Sequence, residues 1–247
     1  MNFSGIPNQS LLGKILRLPL RLLPANLIVP ILQGKLRGQK WITGSSNHGC
    51  WLGSYELDKR LLIEQTIQEG KVFIDLGAHV GFYTLLASKL VGEHGKVFAF
   101  EPVPSNLQYL RRHLQINQVD NVKVLAIAVS DSNGSANFEP SKGSSQGYLS
   151  NQGGLMVETA SLDRLIADGI LPNPDYIKMD VEGAEASILS GAKSMLAEVH
   201  PTIFLATHGE EVKEQCLTIL RSLNYQLTAI GGSNLEKADE ILATYSS

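Results

Sequence analysis

The hydrophobic pattern becomes regular after residue 56 and alternates between two periods. Leu57, Leu61, Leu62, Gln65 and Ile67 follow helical spacing, and Gly70 is the expected C-terminal stop. Val72 to Leu76 is a short apolar run with one acid, the form of a strand buried on both faces. Helices are predicted over Phe82–Val91, Ser105–Asn117, Ser161–Ala167, Glu185–Leu196 and Glu211–Leu223. Strands are predicted over Lys96–Phe100, Val122–Val129, Tyr176–Met179 and Thr202–Ala206. Gln226–Ile230 and Ile241–Tyr245 read as a terminal strand pair joined by a polar loop, Gly231 to Asp239. Ser130 to Gly154, rich in Ser, Gly and Asn, reads as a loop or hairpin excursion. Strands alternating with helices of this length imply right-handed crossovers and a mostly parallel α/β sheet with helices on both faces.

Ahead of that pattern the chain is different. Of 21 basic and 24 acidic residues, Lys14, Arg17, Arg21, Lys35, Arg37 and Lys40 precede Glu56, and no acid does. The first 55 residues therefore carry +6 and the remainder −9. Residues 1–55 are expected to be a basic extension that covers the cofactor and substrate, and residues 56–247 the main domain. Such asymmetry can mark a surface that meets a membrane or another polyanion, although a solvated basic leader accounts for it as well. Leu11 to Leu32 is apolar but is interrupted by Lys14, Arg17 and Arg21 and broken by Pro19, Pro24 and Pro30, which argues against a membrane span. No small-x-small cleavage site follows it, so a cytoplasmic protein is expected, with peripheral membrane contact through the basic segment as a hypothesis. Cys50 and Cys216 are too few and too far apart for a disulfide scaffold or a zinc site.

The candidate chemistry sits at strand ends. Asp75-Leu-Gly77-Ala-His79-Val-Gly81 lies where the first core strand meets a helix, the usual ligand position in an open parallel sheet. It has no second close glycine for a pyrophosphate cradle, and Asp75 would repel a diphosphate while suiting an amino group. Glu101, in Phe98-Ala-Phe-Glu-Pro102, ends the second strand, where a carboxylate can accept both ribose hydroxyls. Together these suggest an adenosine cofactor lacking a diphosphate. Asp180, Glu182 and Glu185, in Met179-Asp-Val-Glu-Gly-Ala-Glu185, form a second acidic cluster at a strand–helix junction. Glu182 or Glu185 could simply favour a helix N-terminus. Asp180 and His208 both end strands on one edge of the sheet and are the candidates for taking a proton from an alcohol. The acids could instead hold Mg²⁺, but the spacing supplies no obvious third ligand, and no metal is assigned. Trp51 and Tyr55 could stack on a sugar or on adenine, or simply pack in the core.

Asp75 to Thr84, Phe98 to Pro102, Ala128-Val-Ser-Asp131, Ser161-Leu-Asp163 and Ile177 to Glu185 together resemble the FkbM family of S-adenosylmethionine-dependent methyltransferases. The resemblance implies a class I, Rossmann-like fold of seven strands with the last antiparallel. It implies S-adenosylmethionine as cofactor, its methionine part against Asp75, Gly77 and Gly81, its ribose on Glu101 and its adenine amino group near Asp131. It implies O-methylation of a hydroxyl on a sugar or natural product; the residues alone stop at methyl transfer to oxygen or nitrogen. His79 stands where the family commonly has Asn, and no Glu lies two residues before His208. Aromatic and basic residues do not interleave as in nucleic-acid grooves, so no nucleic-acid partner is expected. The rival from another class is a non-catalytic nucleotide-binding module serving regulation or assembly, since fold does not decide function. Oligomeric state is not legible.

Overall fold

The computed structural model describes residues 23–140, 147–149, 154–232 and 234–245. Lys14, Arg17 and Arg21 of the basic leader lie outside the described residues, as does part of the excursion after Ser130. The chain opens with a hairpin, β1 (Ile28–Pro30) and β2 (Lys40–Ile42), and two helices, α1 (Gly49–Leu52) and α2 (Leu57–Thr66). Then follow β3 (Val72–Leu76), α3 (Phe82–Val91), β4 (Lys96–Phe100), α4 (Pro104–Ile116), β5 (Val122–Leu125) and β6 (Ala128–Val129). The excursion contributes β7 (Gly134–Pro140) and β8 (Gly147–Leu149), and β9 (Leu155–Ala160) follows it. The second half holds α5 (Leu162–Ala167), β10 (Tyr176–Met179), α6 (Glu185–Ser190), α7 (Lys193–Val199), β11 (Thr202–Ala206), α8 (Glu210–Ser222), β12 (Tyr225–Ala229) and β13 (Glu240–Tyr245).

Seven strands form the main sheet in the order β12-β13-β11-β10-β3-β4-β5. Neighbours from β11 to β5 are parallel, and β13 runs antiparallel to both β11 and β12. This is the class I methyltransferase arrangement, with the terminal strand pair where the pattern placed it. The pleat divides the core. Ile74, Leu76, Ile177, Met179, Ile203 and Leu205 pack on the side of α5 to α8, whereas Phe73, Val97, Tyr176 and Phe204 pack on the side of α3, α4 and the hairpin. Both faces are covered, which is why these strands read as apolar runs rather than as alternation.

Three expectations are corrected. The helix after Leu57 ends at Thr66, because Ile67 turns extended and is buried; Gly70, at φ +79°, makes the later turn into β3. Val122–Val129 is two strands, since β6 leaves the main sheet to pair in parallel with β9. Glu185–Leu196 is also two helices. Gly191 lies so close to Ser130 that a Cβ would fall 2.5 Å from its carbonyl oxygen, and the Asp163 carboxylate accepts from the Ser194 and Met195 N–H groups to start α7. The excursion after Ser130 is, as one of its two readings has it, a hairpin, β7–β8, which joins β6 and β9 in a four-stranded second sheet, β6-β9-β7-β8. Among the described residues no helix is long and apolar enough to cross a membrane.

Candidate active site

A cavity of about 380 Å³ opens at the carboxyl ends of β3, β4 and β10, a volume within the range of small-molecule and cofactor pockets. The loop after β3 forms its floor. The Gly77 and Ala78 N–H groups both donate to the Phe100 carbonyl (3.1 and 2.9 Å), and the His79 N–H donates to Glu101 Oε2 (2.8 Å). His79 sits at φ +51°, a left-handed conformation that Asn, Asp and His tolerate better than other side chains, so the exchange of Asn for His at this position leaves the turn intact. Gly77 is required by a close crossing: a Cβ there would lie 1.9 Å from the Asp180 carbonyl oxygen.

Glu101 lies in the wall and is 4% exposed. Its Oε1 accepts from the Val103 N–H (2.8 Å) and Asn106 Nδ2 (3.2 Å). Burial raises its pKa against the opposing effect of those hydrogen bonds. Oε2 accepts from His79 and, as a carboxylate oxygen, can take a second donor. Val103, Ile127, Ala128 and Val129 add an apolar wall beside it. A carboxylate able to take hydroxyl donors next to a flat apolar surface fits a nucleoside, so the donor set fits the adenosine part of the implied cofactor.

Three residues assigned to the cofactor do not face the cavity. Asp75 is 0% exposed: Thr84 Oγ1 donates to its Oδ2 (2.6 Å), and Lys178 Nζ lies 3.3 Å from Oδ1. Lys178 in turn donates to the Gly77 and Leu76 carbonyls (2.8 and 3.3 Å), so Asp75 shapes the loop from behind. Gly81 is the N-cap of α3 and packs on Leu110, where a Cβ would come within 2.5 Å of Cδ1. Asp131 is exposed and turned toward α6, its N–H donating to Ser187 Oγ (3.2 Å). One bend of the chain past Val129 carries it away from the wall that Ala128 and Val129 line.

The second acidic cluster does assemble. Asp180 and Glu182 line the cavity, and His208 Nε2 stands 3.6 Å from Asp180 Oδ1 and from Glu182 Oε2. Glu185, 0% exposed, anchors them: its Oε1 accepts from His208 Nδ1 (2.7 Å), the Gly183 N–H (3.1 Å) and the Val181 N–H (3.4 Å). The hydrogen bond to Glu185, with the charges of Glu182, Glu185 and Asp180, outweighs partial burial and raises the His208 pKa to about 9. Burial would raise the pKa of Asp180, but Lys178, Lys59 and His208 together hold it below the ordinary carboxylate value. Asp180, Glu182 and His208 each bring one potential ligand atom within 4.8 Å of the others, so a divalent cation could sit here only if His208 gave up its proton.

Two lysines complete the site and were missed in the sequence. Lys178 is 3% exposed in the middle of a strand buried on both faces, an anomaly that itself signals buried anions nearby. Lys59, on α2 and equally buried, reaches Glu56 Oε2 and Glu240 Oε1 (2.6 Å each) and Asp180 Oδ2 (3.6 Å). It lies over the Tyr83 ring, whose hydroxyl donates to Glu56 (2.9 Å). The i,i+3 pairing with Glu56 is the one local signal for Lys59; its other partners, Asp180 just past β10 and Glu240 in β13, come from far along the chain. Tyr55 lines the cavity, whereas Trp51 is buried with its Nε1 donating to His48 (3.1 Å).

A family model described as the methyltransferase FkbM domain matches residues 75–228. The chain is 32% identical over 157 residues to the hexuronic acid methyltransferase AglP of Haloferax volcanii, covering 63% of each protein. It is 29% identical over 123 residues to the 2-O-methyltransferase NoeI of Sinorhizobium fredii, covering 42% of this chain and 50% of that one. The match thus spans less than two thirds of the length of either curated relative. Among solved structures, the FkbM methyltransferase of Methylobacillus flagellatus superposes with a TM-score of 0.51 at 19% identity over 81% of this chain and 56% of that one. The precorrin-6y C5,15-methyltransferase of Geobacter metallireducens gives 0.51 at 17% identity, over 77% and 89%. At these identities the structures establish the fold alone.

Proposed function

The chain belongs to the FkbM family of S-adenosylmethionine-dependent methyltransferases, and on that premise we propose that it methylates a hydroxyl group of a saccharide acceptor. The two curated relatives, named for a hexuronic acid and for a 2-O position, support sugar and oxygen over nitrogen. When bound, S-adenosylmethionine supplies a methyl group on a sulfonium, an electrophile that already carries a good leaving group. The protein's part is alignment, which can contribute several kcal/mol, and removal of the hydroxyl proton, worth about 10²- to 10⁴-fold.

The observation that carries the proposal is Asp180: a carboxylate in the cavity wall, kept ionised by Lys59 and Lys178 and backed by His208. Asp180 accepts the hydroxyl proton. His208, favouring the imidazolium at neutral pH, steadies the Asp180 and Glu182 carboxylates and is itself fixed by Glu185. Glu101 takes the ribose hydroxyls, and the Gly77 turn brings backbone to the cavity floor. With Lys59 and His208 already supplying positive charge, the site works as a general base and requires no metal.

The test has two stages. Calorimetry with S-adenosylhomocysteine and NAD side by side should give binding for the first alone. A panel of hexoses, hexuronic acids and amino sugars, followed by S-adenosylhomocysteine release, should then identify an acceptor. On it, Asp180→Asn should lose at least about 10²-fold in turnover while binding S-adenosylhomocysteine normally. Undiminished turnover in Asp180→Asn removes the general-base role. Cofactor binding with no Asp180-dependent turnover on any acceptor favours the non-catalytic module.

A further inference from the structure

We propose that the face built by the β1–β2 hairpin and α4 docks on an anionic lipid surface. The two elements are fastened together. The Lys40 N–H donates to Asn117 Oδ1 (2.7 Å), Asn117 Nδ2 donates back to the Lys40 carbonyl (2.8 Å), and the Ile42 N–H donates to His113 Nε2 (3.1 Å). Between them runs a groove of about 740 Å³ whose lining includes Ile28, Arg111 and Arg112.

The composition of this face is unlike the rest of the molecule. Lys35, Arg37, Lys40, Arg111 and Arg112 are all exposed, and neither residues 23–55 nor α4 contain an acid, in a chain whose net charge is −3. Three of the seven large apolar side chains exposed among the described residues are here: Leu27 at 40%, Ile28 at 45% and Leu32 at 47%. Cations alone would serve any polyanion. Cations beside protruding aliphatic side chains match a membrane interface, where charges meet anionic headgroups and aliphatic groups enter the acyl boundary. Single-stranded nucleic acid would call for aromatic stacking platforms instead. The same elements also build the cavity: Asn106, in the first turn of α4, and Ser46 and Asn47, just beyond β2, are part of its wall. If the methyl-transfer reading holds, a lipid-linked sugar would be the acceptor such docking serves; the docking itself does not depend on it.

The experiment is co-sedimentation of the full chain with phosphatidylcholine vesicles, with and without about one third phosphatidylglycerol. The protein should pellet only with the anionic vesicles and be released by salt as the Debye length shortens below about 10 Å. Arg111→Gln/Arg112→Gln should lower partitioning about 25-fold, at roughly fivefold per cation. Ile28→Ser/Leu32→Ser should lower it by at least about tenfold through lost apolar insertion. Both variants should bind S-adenosylhomocysteine as the unaltered protein does, since neither touches the cavity. Failure to pellet with anionic vesicles, or pelleting that both variants leave unchanged, overturns the proposal. So does binding to a single-stranded oligonucleotide without binding to vesicles, which would assign the face to nucleic acid.

Discussion

Replacing Glu185 by Gln should move the titration of His208 by a large and measurable amount without an acceptor being known. Glu185 Oε1 lies 2.7 Å from His208 Nδ1 and is the largest cause of the imidazole's rise from 6.5 to about 9. The amide keeps the size and a hydrogen-bond acceptor for Nδ1–H but removes the charge. Glu182 and Asp180, each 3.6 Å from Nε2, still favour the imidazolium, so the pKa should fall by about one to two pH units rather than return to 6.5. The imidazole signals of the six histidines can be followed by NMR, with His208→Gln identifying the relevant one. Linkage adds a second readout. A pKa raised in the folded state stabilises below the unfolded value near 6.5, and that stability is lost as pH rises through about 9. The full displacement corresponds to about 3 kcal/mol; with a third of the side chain exposed, solvent screening reduces this to about 1–2 kcal/mol. Thermal unfolding of the unaltered protein should therefore lose about 1–2 kcal/mol between pH 6 and pH 10, and Glu185→Gln, which keeps part of the raised pKa, should lose about half as much. A wild-type His208 that titrates near 6.5, or a titration that Glu185→Gln leaves in place, refutes this account of the cluster.

Other consequences can be checked on the same preparations. Lys59→Met leaves the half-buried Glu56 and Glu240 carboxylates without their cation, and urea unfolding should register a loss of about 1–3 kcal/mol. It should also shift the acid limb of activity upward, because Asp180 loses a charge that holds its pKa down; adding Glu240→Gln should recover stability but not the pH profile. Glu101→Gln should weaken S-adenosylhomocysteine binding about ten- to a hundredfold in calorimetry, as hydrogen bonds to a charged acceptor are lost, while Asp131→Ala should change it less than about twofold. Gly77→Ala should fail to accumulate as folded protein, since the methyl group meets backbone rather than a movable side chain; a stable, binding-competent Gly77→Ala would show that the β3 loop is looser than its geometry.

The sheet was legible because its strands are buried on both faces and its helices are not. That contrast appears in the sequence as continuous runs against a 3.6-residue period. What escaped was set by contacts between distant segments. The break at Gly191 follows from the approach of Ser130, sixty-one residues earlier, and nothing near Gly191 announces it. The departure of β6 from the main sheet depends on β9, which lies beyond the excursion, and nothing in the excursion's composition distinguishes a loop from a hairpin or shows what it pairs with.

The site divides along the same line. Strand ends located Glu101, Asp180 and Glu182, because the end of a parallel strand points its last side chain toward the ligand crevice. Asp75 obeys the same rule in sequence yet faces inward, and Lys178 is the reason. A lysine in the middle of a buried strand must be paired, and Asp75 on the adjacent strand is directly opposite it in the β3–β10 register. Having found that partner, Lys178 spends its hydrogen bonds on the Gly77 and Leu76 carbonyls and lies 4.0 Å from Asp180. One buried cation thus ties the cofactor loop to the proposed base. Asp75 contributes by fixing Lys178, so Asp75→Asn should disturb the ionisation of Asp180 as well as the loop, an effect that direct contact with the cofactor alone would not produce.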